Sequence, residues 1–101
     1  MGHVVVYITA PRDDGERIAR HLVEKRLAAC VNVAPVVSVY RWEGRVERDE
    51  EVLLIVKTRR ERLRELMSEV KAVHPYKVPE IIALPIVEGD PDYLKWVDES
   101  T

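Results

Sequence analysis

The stretch His74-Pro75-Tyr76-Lys77-Val78-Pro79-Glu80 gathers an imidazole, a phenol, an ammonium and a carboxylate into one short run. Its two prolines hold φ near −65°, and each pushes the residue before it out of the helical region. A helix arriving from the N-terminal side must stop at His74, and an extended segment must leave by Glu80. A connector rarely needs both that rigidity and that chemistry.

Metal ligation is one use for such donors. The soft and borderline ligands of the chain are Cys30, His3, His21 and His74, with no C-x-x-C or H-x₃-H pair among them. A site within one chain would be poor. A site shared across an interface could recruit His74 with Glu80 or a neighbour's carboxylate, and imidazole with oxygen ligands suits Cu(II), Zn(II) or Ni(II). The bland alternative for His74 is a helix-end hydrogen bond at the proline corner.

Other chemistries fare worse. Cys30 with His74 could form a thiolate–imidazole pair, but Cys30 sits inside an apolar strand pattern, where a lone cysteine is a small core hydrophobe. Four scattered glycines make neither a P-loop nor a dinucleotide fingerprint. Val6-Tyr7-Ile8 superficially matches the first-strand motif of RNA-recognition domains. Val52 to Lys57, however, lacks the aromatics that would stack bases. Arg59, Arg60, Arg62 and Arg64 are interleaved with Glu61 and Glu65, which reads as a solvated helix face. A net charge of −2 gives no global field for nucleic acid or an anionic membrane. The expectation is therefore a protein with no catalytic residues, no organic cofactor, and neither nucleic acid nor membrane as partner.

Length and composition point to one domain over residues 1–101. A single cysteine excludes an internal disulfide and suits a reducing cytoplasm, and no apolar run approaches a membrane span. The charged fraction of 34% is well above the usual quarter, with one Asn and no Gln, the pattern of a hot-living source.

The elements that must position the corner follow in order. Val4 to Ala10 is a near-continuous β-branched run, which predicts a strand buried on both faces and ended by Pro11. Asp13 and Glu16 form a capping box for a helix whose apolar stripe is Ile18, Ala19, Leu22, Val23 and Leu27, with His21 on its flank. Ala28 to Trp42 is strand-like, interrupted at Pro35. Glu43-Gly44-Arg45 turns the chain, and Val46 to Thr58 returns as the second arm of a hairpin. Thr58 and Glu61 predict a second capping box. Leu63, Leu66, Met67, Val70 and Val73 then stripe the helix that runs into His74. Glu80 to Val87 is the last strand, placed at an edge or bulge by Pro85, and Asp90-Pro91 opens a short final helix.

The β-α-β-β-α-β order with a terminal helix predicts an α+β ferredoxin-like sandwich, an antiparallel sheet with both long helices on one face. At about 3.3 Å per residue, a hairpin arm of about a dozen residues reaches far beyond a first strand of seven. Such an overhang exposes unpaired edges, which association with another copy would cover. A homo-oligomer follows.

Several blocks coincide with a known family. Thr9-Ala10-Pro11, Leu27 to Asn32, Ser38 to Gly44, Leu54 to Thr58, His74 to Glu80 and Tyr93-Leu94-Lys95-Trp96 stand in the order and spacing of the CutA divalent-cation tolerance proteins, which the chain resembles over nearly its whole length. The resemblance implies a compact homotrimer, kinship to the PII signal-transduction proteins, and tolerance of copper and other divalent cations with no defined enzymatic reaction. It also implies an intersubunit cleft involving Tyr40, Trp42, Lys57, His74, Tyr76 and Glu80. In that cleft the aromatics wall a slot, Lys57 and Glu80 set its polarity, and His74 is the metal ligand.

One departure bears on the metal. Family members proposed to bind copper can carry a first-strand cysteine and a histidine just before the His-Pro pair, where this chain has Ile8 and Val73. The leading expectation is a non-enzymatic, cytoplasmic, trimeric protein of divalent-cation homeostasis, copper foremost. The alternatives are a PII-like sensor that takes a small anionic ligand with Lys57 as its partner, and a trimeric scaffold for other proteins.

Overall fold

The computed structural model describes residues 2–101. Its elements are β1 (His3–Pro11), α1 (Arg12–Glu24), β2 (Cys30–Trp42), β3 (Arg45–Arg59), α2 (Leu63–Val73), β4 (Ile81–Ile86) and α3 (Pro91–Ser100), with one 3-10 turn at Arg60–Arg62. The fold is α+β, a four-stranded sheet in the order β2-β3-β1-β4 with every neighbouring pair antiparallel. That order is what a split βαβ chain produces. Pro85 falls on the edge strand β4, as its missing N–H requires.

Alternation along the strands divides the sheet into two faces. Val4, Val6, Ile8 and Ala10 of β1 and Val52, Leu54 and Val56 of β3 turn to one side and are buried beneath the helices. Ile18, Ala19 and Leu22 of α1 and Leu66 and Val70 of α2 close this core. Each fully buried Leu or Ile contributes roughly 1.5–3 kcal/mol. α1 lies close on β3 because residue 15 is glycine: a Cβ there would stand 2.3 Å from Val52 Cγ2. His21 joins the two helices through its Nε2, 2.9 Å from Glu69 Oε1, so it is a helix-flank residue.

The opposite face carries Val5, Tyr7, Leu53, Ile55, Ile82 and Leu84, half-buried or exposed. β1 is therefore not buried on both faces within one chain. Its continuous apolar pattern is present, but the second side has no layer over its middle. α3 is fixed at the far end of the sheet, where Arg59 and Arg62 both donate to the Thr101 carbonyl at 2.7 Å. Asp90 caps this helix by accepting from the Tyr93 N–H at 3.0 Å, with Pro91 behind it, as expected.

Three other local expectations are corrected. α1 begins at Arg12 with Pro11 in the capping position and no side-chain cap. The strand feeds straight into the helix, leaving no loop for Asp13 to cap. Asp13 lies in the first turn instead, where its charge suits the positive end of the helix. Thr58 caps nothing either. It lies on the buried side of β3, so its hydroxyl must be satisfied inside, and it donates to the Leu27 carbonyl at 2.6 Å. Nor does Pro35 break the ladder: β2 pairs with β3 without interruption from Cys30↔Lys57 to Trp42↔Arg45. An edge strand tolerates one missing donor.

The hairpin is long, as its sequence requires. β3 pairs with β1 only from Glu51 to Arg59, while its pairing with β2 runs on to Arg45. Val37 to Trp42 and Arg45 to Glu50 therefore form a two-stranded ribbon beyond the sheet, and the molecule is 44 Å long against 25 and 21 Å across. A two-residue turn closes the ribbon with positive φ at both Glu43 (50°) and Gly44 (79°), the twist that hairpin strands favour.

Candidate functional site

The ribbon and the proline corner enclose a groove of about 660 Å³. Ser38, Tyr40 and Trp42 of β2 and Glu51 of β3 make one wall, Tyr76, Lys77, Val78 and Glu80 the other, and Thr9 of β1 joins them. The volume is that of a small-molecule site. Tyr40, Trp42, Tyr76 and Glu80, each expected from the sequence, are brought together here by a single chain.

His74 holds the corner in place. α2 ends at it, with the His74 N–H on the Val70 carbonyl at 2.8 Å. The ring, only 8% exposed, is bonded to main chain on both sides. Tyr76 N–H donates to Nδ1 at 3.0 Å, so Nδ1 is an acceptor and the proton sits on Nε2, which donates to the Thr9 carbonyl at 2.8 Å. Arg17 of α1 adds a second fastening, reaching the Val73 carbonyl at 3.3 Å while paired with Asp14 at 2.7 Å. The His74 ring packs on Tyr76 with centroids 4.9 Å apart, and so supports the groove wall from behind.

Two phenols bond to two carboxylates of β3. Tyr76 donates to Glu51 Oε2 at 2.6 Å, and Tyr40 donates to Asp49. Burial, then the bond to Glu51 and its charge, pushes the Tyr76 phenol well above its ordinary value. The bond to Asp49, with desolvation and three nearby carboxylates behind it, pushes Tyr40 up to about 12. Both phenols are neutral donors at physiological pH.

Lys57 does not reach the groove. It pairs with Val5 and Cys30 across the ladder, four residues along β1 from Thr9 and so about 13 Å away. Its ammonium is held by Asn32 Oδ1 and, at 3.2 Å, the Ile55 carbonyl. The polarity of this groove is set by carboxylates, with Lys77 as the cation of its lining.

A metal fits the residues of one chain poorly. No three His, Cys, Asp or Glu side chains among the described residues converge as ligands. The nitrogens of His74 are both engaged, so ligation there requires giving up the Thr9 or the Tyr76 hydrogen bond.

Glu51 and Asp49 were not singled out from the sequence, although a signal for them exists. Counting outward from the two-residue turn pairs Tyr40 with Glu47, Ser38 with Asp49 and Val36 with Glu51, which puts three alternate acidic residues on the face of Tyr40. The helix-like charge density of Glu47 to Glu51 conceals that alternation.

Comparison with known proteins agrees with this fold. The family model described as CutA1 divalent ion tolerance protein matches residues 4–100. The chain is 54% identical over 99 residues to the divalent-cation tolerance protein CutA of Thermus thermophilus, covering 96% of each. It is 53% identical over 95 residues to the protein CutA homolog of Xenopus laevis, covering 92% of this chain but 63% of that longer one. Among solved structures, the periplasmic divalent cation tolerance protein CutA from Archaeoglobus fulgidus superposes with a TM-score of 0.95 at 49% identity, covering 97% of both chains.

Proposed function

Because the chain belongs to the CutA1 divalent ion tolerance family, we propose that it serves divalent-cation tolerance, copper foremost, as a homotrimer that carries out no reaction of its own. The observation that carries this reading is the ribbon. A two-stranded hairpin is marginal alone, and this one ends in exposed Val37, Val39, Trp42 and Val46. Beside it lies the open sheet face with exposed Ile82 and Leu84. Neighbouring copies that extend one another's sheets would cover both. A lone free cysteine suits a reducing cytoplasm, and no described helix is long and apolar enough to cross a membrane.

In this reading His74 acts as the corner fastener, and cations meet oxygen donors assembled between copies, Glu80 among them. Sedimentation of the purified protein should give the mass of three chains. Calorimetric titration with Cu(II) should give the same stoichiometry for the unmodified protein and for His74→Ala, and a weaker phase for Glu80→Gln. A monomer overturns the assembly. Loss of the copper phase in a folded His74→Ala variant restores His74 as the ligand.

A second reading is favoured by the groove itself: its volume and aromatic walls suit a small organic effector. Lys57 lies elsewhere and is occupied, which speaks against the anionic effector expected from the sequence.

A further inference from the structure

The groove contains a buried charge that the chain does not neutralise. Glu51 is 5% exposed, and its hydrogen bond is to the neutral Tyr76 phenol. The ion pairs of the described residues engage Asp14, Glu16, Glu50, Glu65, Glu69 and Asp98, and none reaches Glu51. A buried carboxylate without a cation is costly, and native proteins compensate it by pairing.

The rest of the lining is selective in the same sense. Both phenolic hydrogens are already donated to carboxylates, and Lys77 is the one cationic side chain of the lining that an anion entering the groove would meet. A cation instead meets the rings of Tyr40, Trp42 and Tyr76, each at least a third exposed, with Glu51 and Glu80 around them. Ring faces attract ammonium and guanidinium groups through their quadrupole but do not ligate metal ions.

We propose that the groove between ribbon and proline corner binds a small organic cation, a primary ammonium or guanidinium carried on a short apolar body, with Glu51 as its counter-charge. The proposal rests on the reading of the groove as an effector site and names the chemical class of that effector. The ammonium approaches Glu51 on the side left open by Tyr76, and the apolar body lies against Trp42 and Val78.

The test uses three probes of equal length, n-hexylammonium, hexanoate and hexanol, titrated into the full chain and followed by calorimetry and by ring-proton NMR shifts. Hexylammonium should bind saturably and shift Trp42, with hexanoate and hexanol roughly tenfold weaker or worse. Glu51→Gln, which can still accept from Tyr76, should lose roughly tenfold for hexylammonium and little for hexanol. Trp42→Leu, on the exposed ribbon, should weaken hexylammonium with Glu51 intact, which guards against a folding defect in the first variant. Hexanoate binding as tightly as hexylammonium overturns the class while leaving an effector groove. No binding by any probe overturns both, and would follow if a neighbouring copy's basic side chain already neutralises Glu51.

Discussion

His74 commits both ring nitrogens to the main chain, which favours the structural of the two roles its sequence left open. The ring bridges the Thr9 carbonyl and the Tyr76 N–H, tying the corner to β1. Removing it leaves the part-buried Thr9 carbonyl without this partner and a gap under Tyr76, so His74→Ala should cost about 2 kcal/mol in denaturant titration. The tyrosines supply a pH signature. An unfolded tyrosine ionises near 10, whereas the bond to Asp49 holds Tyr40 up to about 12 and burial with Glu51 holds Tyr76 higher. A raised phenol favours the neutral form in the folded chain. Its stabilisation is whole below about pH 10 and is lost as pH climbs through the folded values. Melting points should fall from about pH 10 upward, and fall less in the Tyr40→Phe, Tyr76→Phe double variant. At this scale the aromatic residues of the groove were legible from family blocks. Glu51 was not, because its importance lies in its burial, which composition cannot show.

The elements were legible where periodicity is long and obscure where one residue answers to two elements. Seven elements and their order follow from alternation, helical stripes and turn residues. Pro35 read as a break because a sequence does not say that β2 lies at an edge, where a missing donor is harmless. Thr58 read as a cap because the same side chain that caps helices also satisfies buried carbonyls. Gly15 went unremarked, since nothing local marks a glycine that lets a helix approach a strand. Its Cβ would overlap Val52, the residue next to Glu51 at the root of the ribbon. Gly15→Ala should therefore destabilise the fold by about 1–3 kcal/mol and push α1 away from β3, measured by thermal melting. A gain in stability would mean that Val52 swings aside freely.

At the scale of the whole molecule, the chain leaves two apolar areas uncovered on opposite faces of its strands: Leu84 and Ile82 of β4 with Tyr7 and Ile55 on the open sheet face, and Val37, Val39 and Val46 on the other side of the ribbon. Apolar surface of that extent marks an interaction site. In the trimeric reading, charged substitutions there should act on assembly before they act on folding. Ile82→Asp with Leu84→Asp should sediment as a smaller species while keeping its helical circular dichroism. A trimer unaffected by that pair would place the interface elsewhere. The overhang was legible as a mismatch of strand lengths, whereas the apolar second face read as interior because hydrophobicity does not distinguish a core from an interface.

The ribbon forms one wall of the groove but has no third strand of its own beyond Glu51. Its amides should therefore be the fastest in the sheet to exchange with deuterium whenever the chain is alone, and slow sharply as copies associate. Tyr40 and Trp42 travel with it, so dilution should disorganise the groove as well as the assembly. Anything that binds there then shares free energy with association: the ligand should tighten the oligomer by the same factor by which the oligomer tightens the ligand.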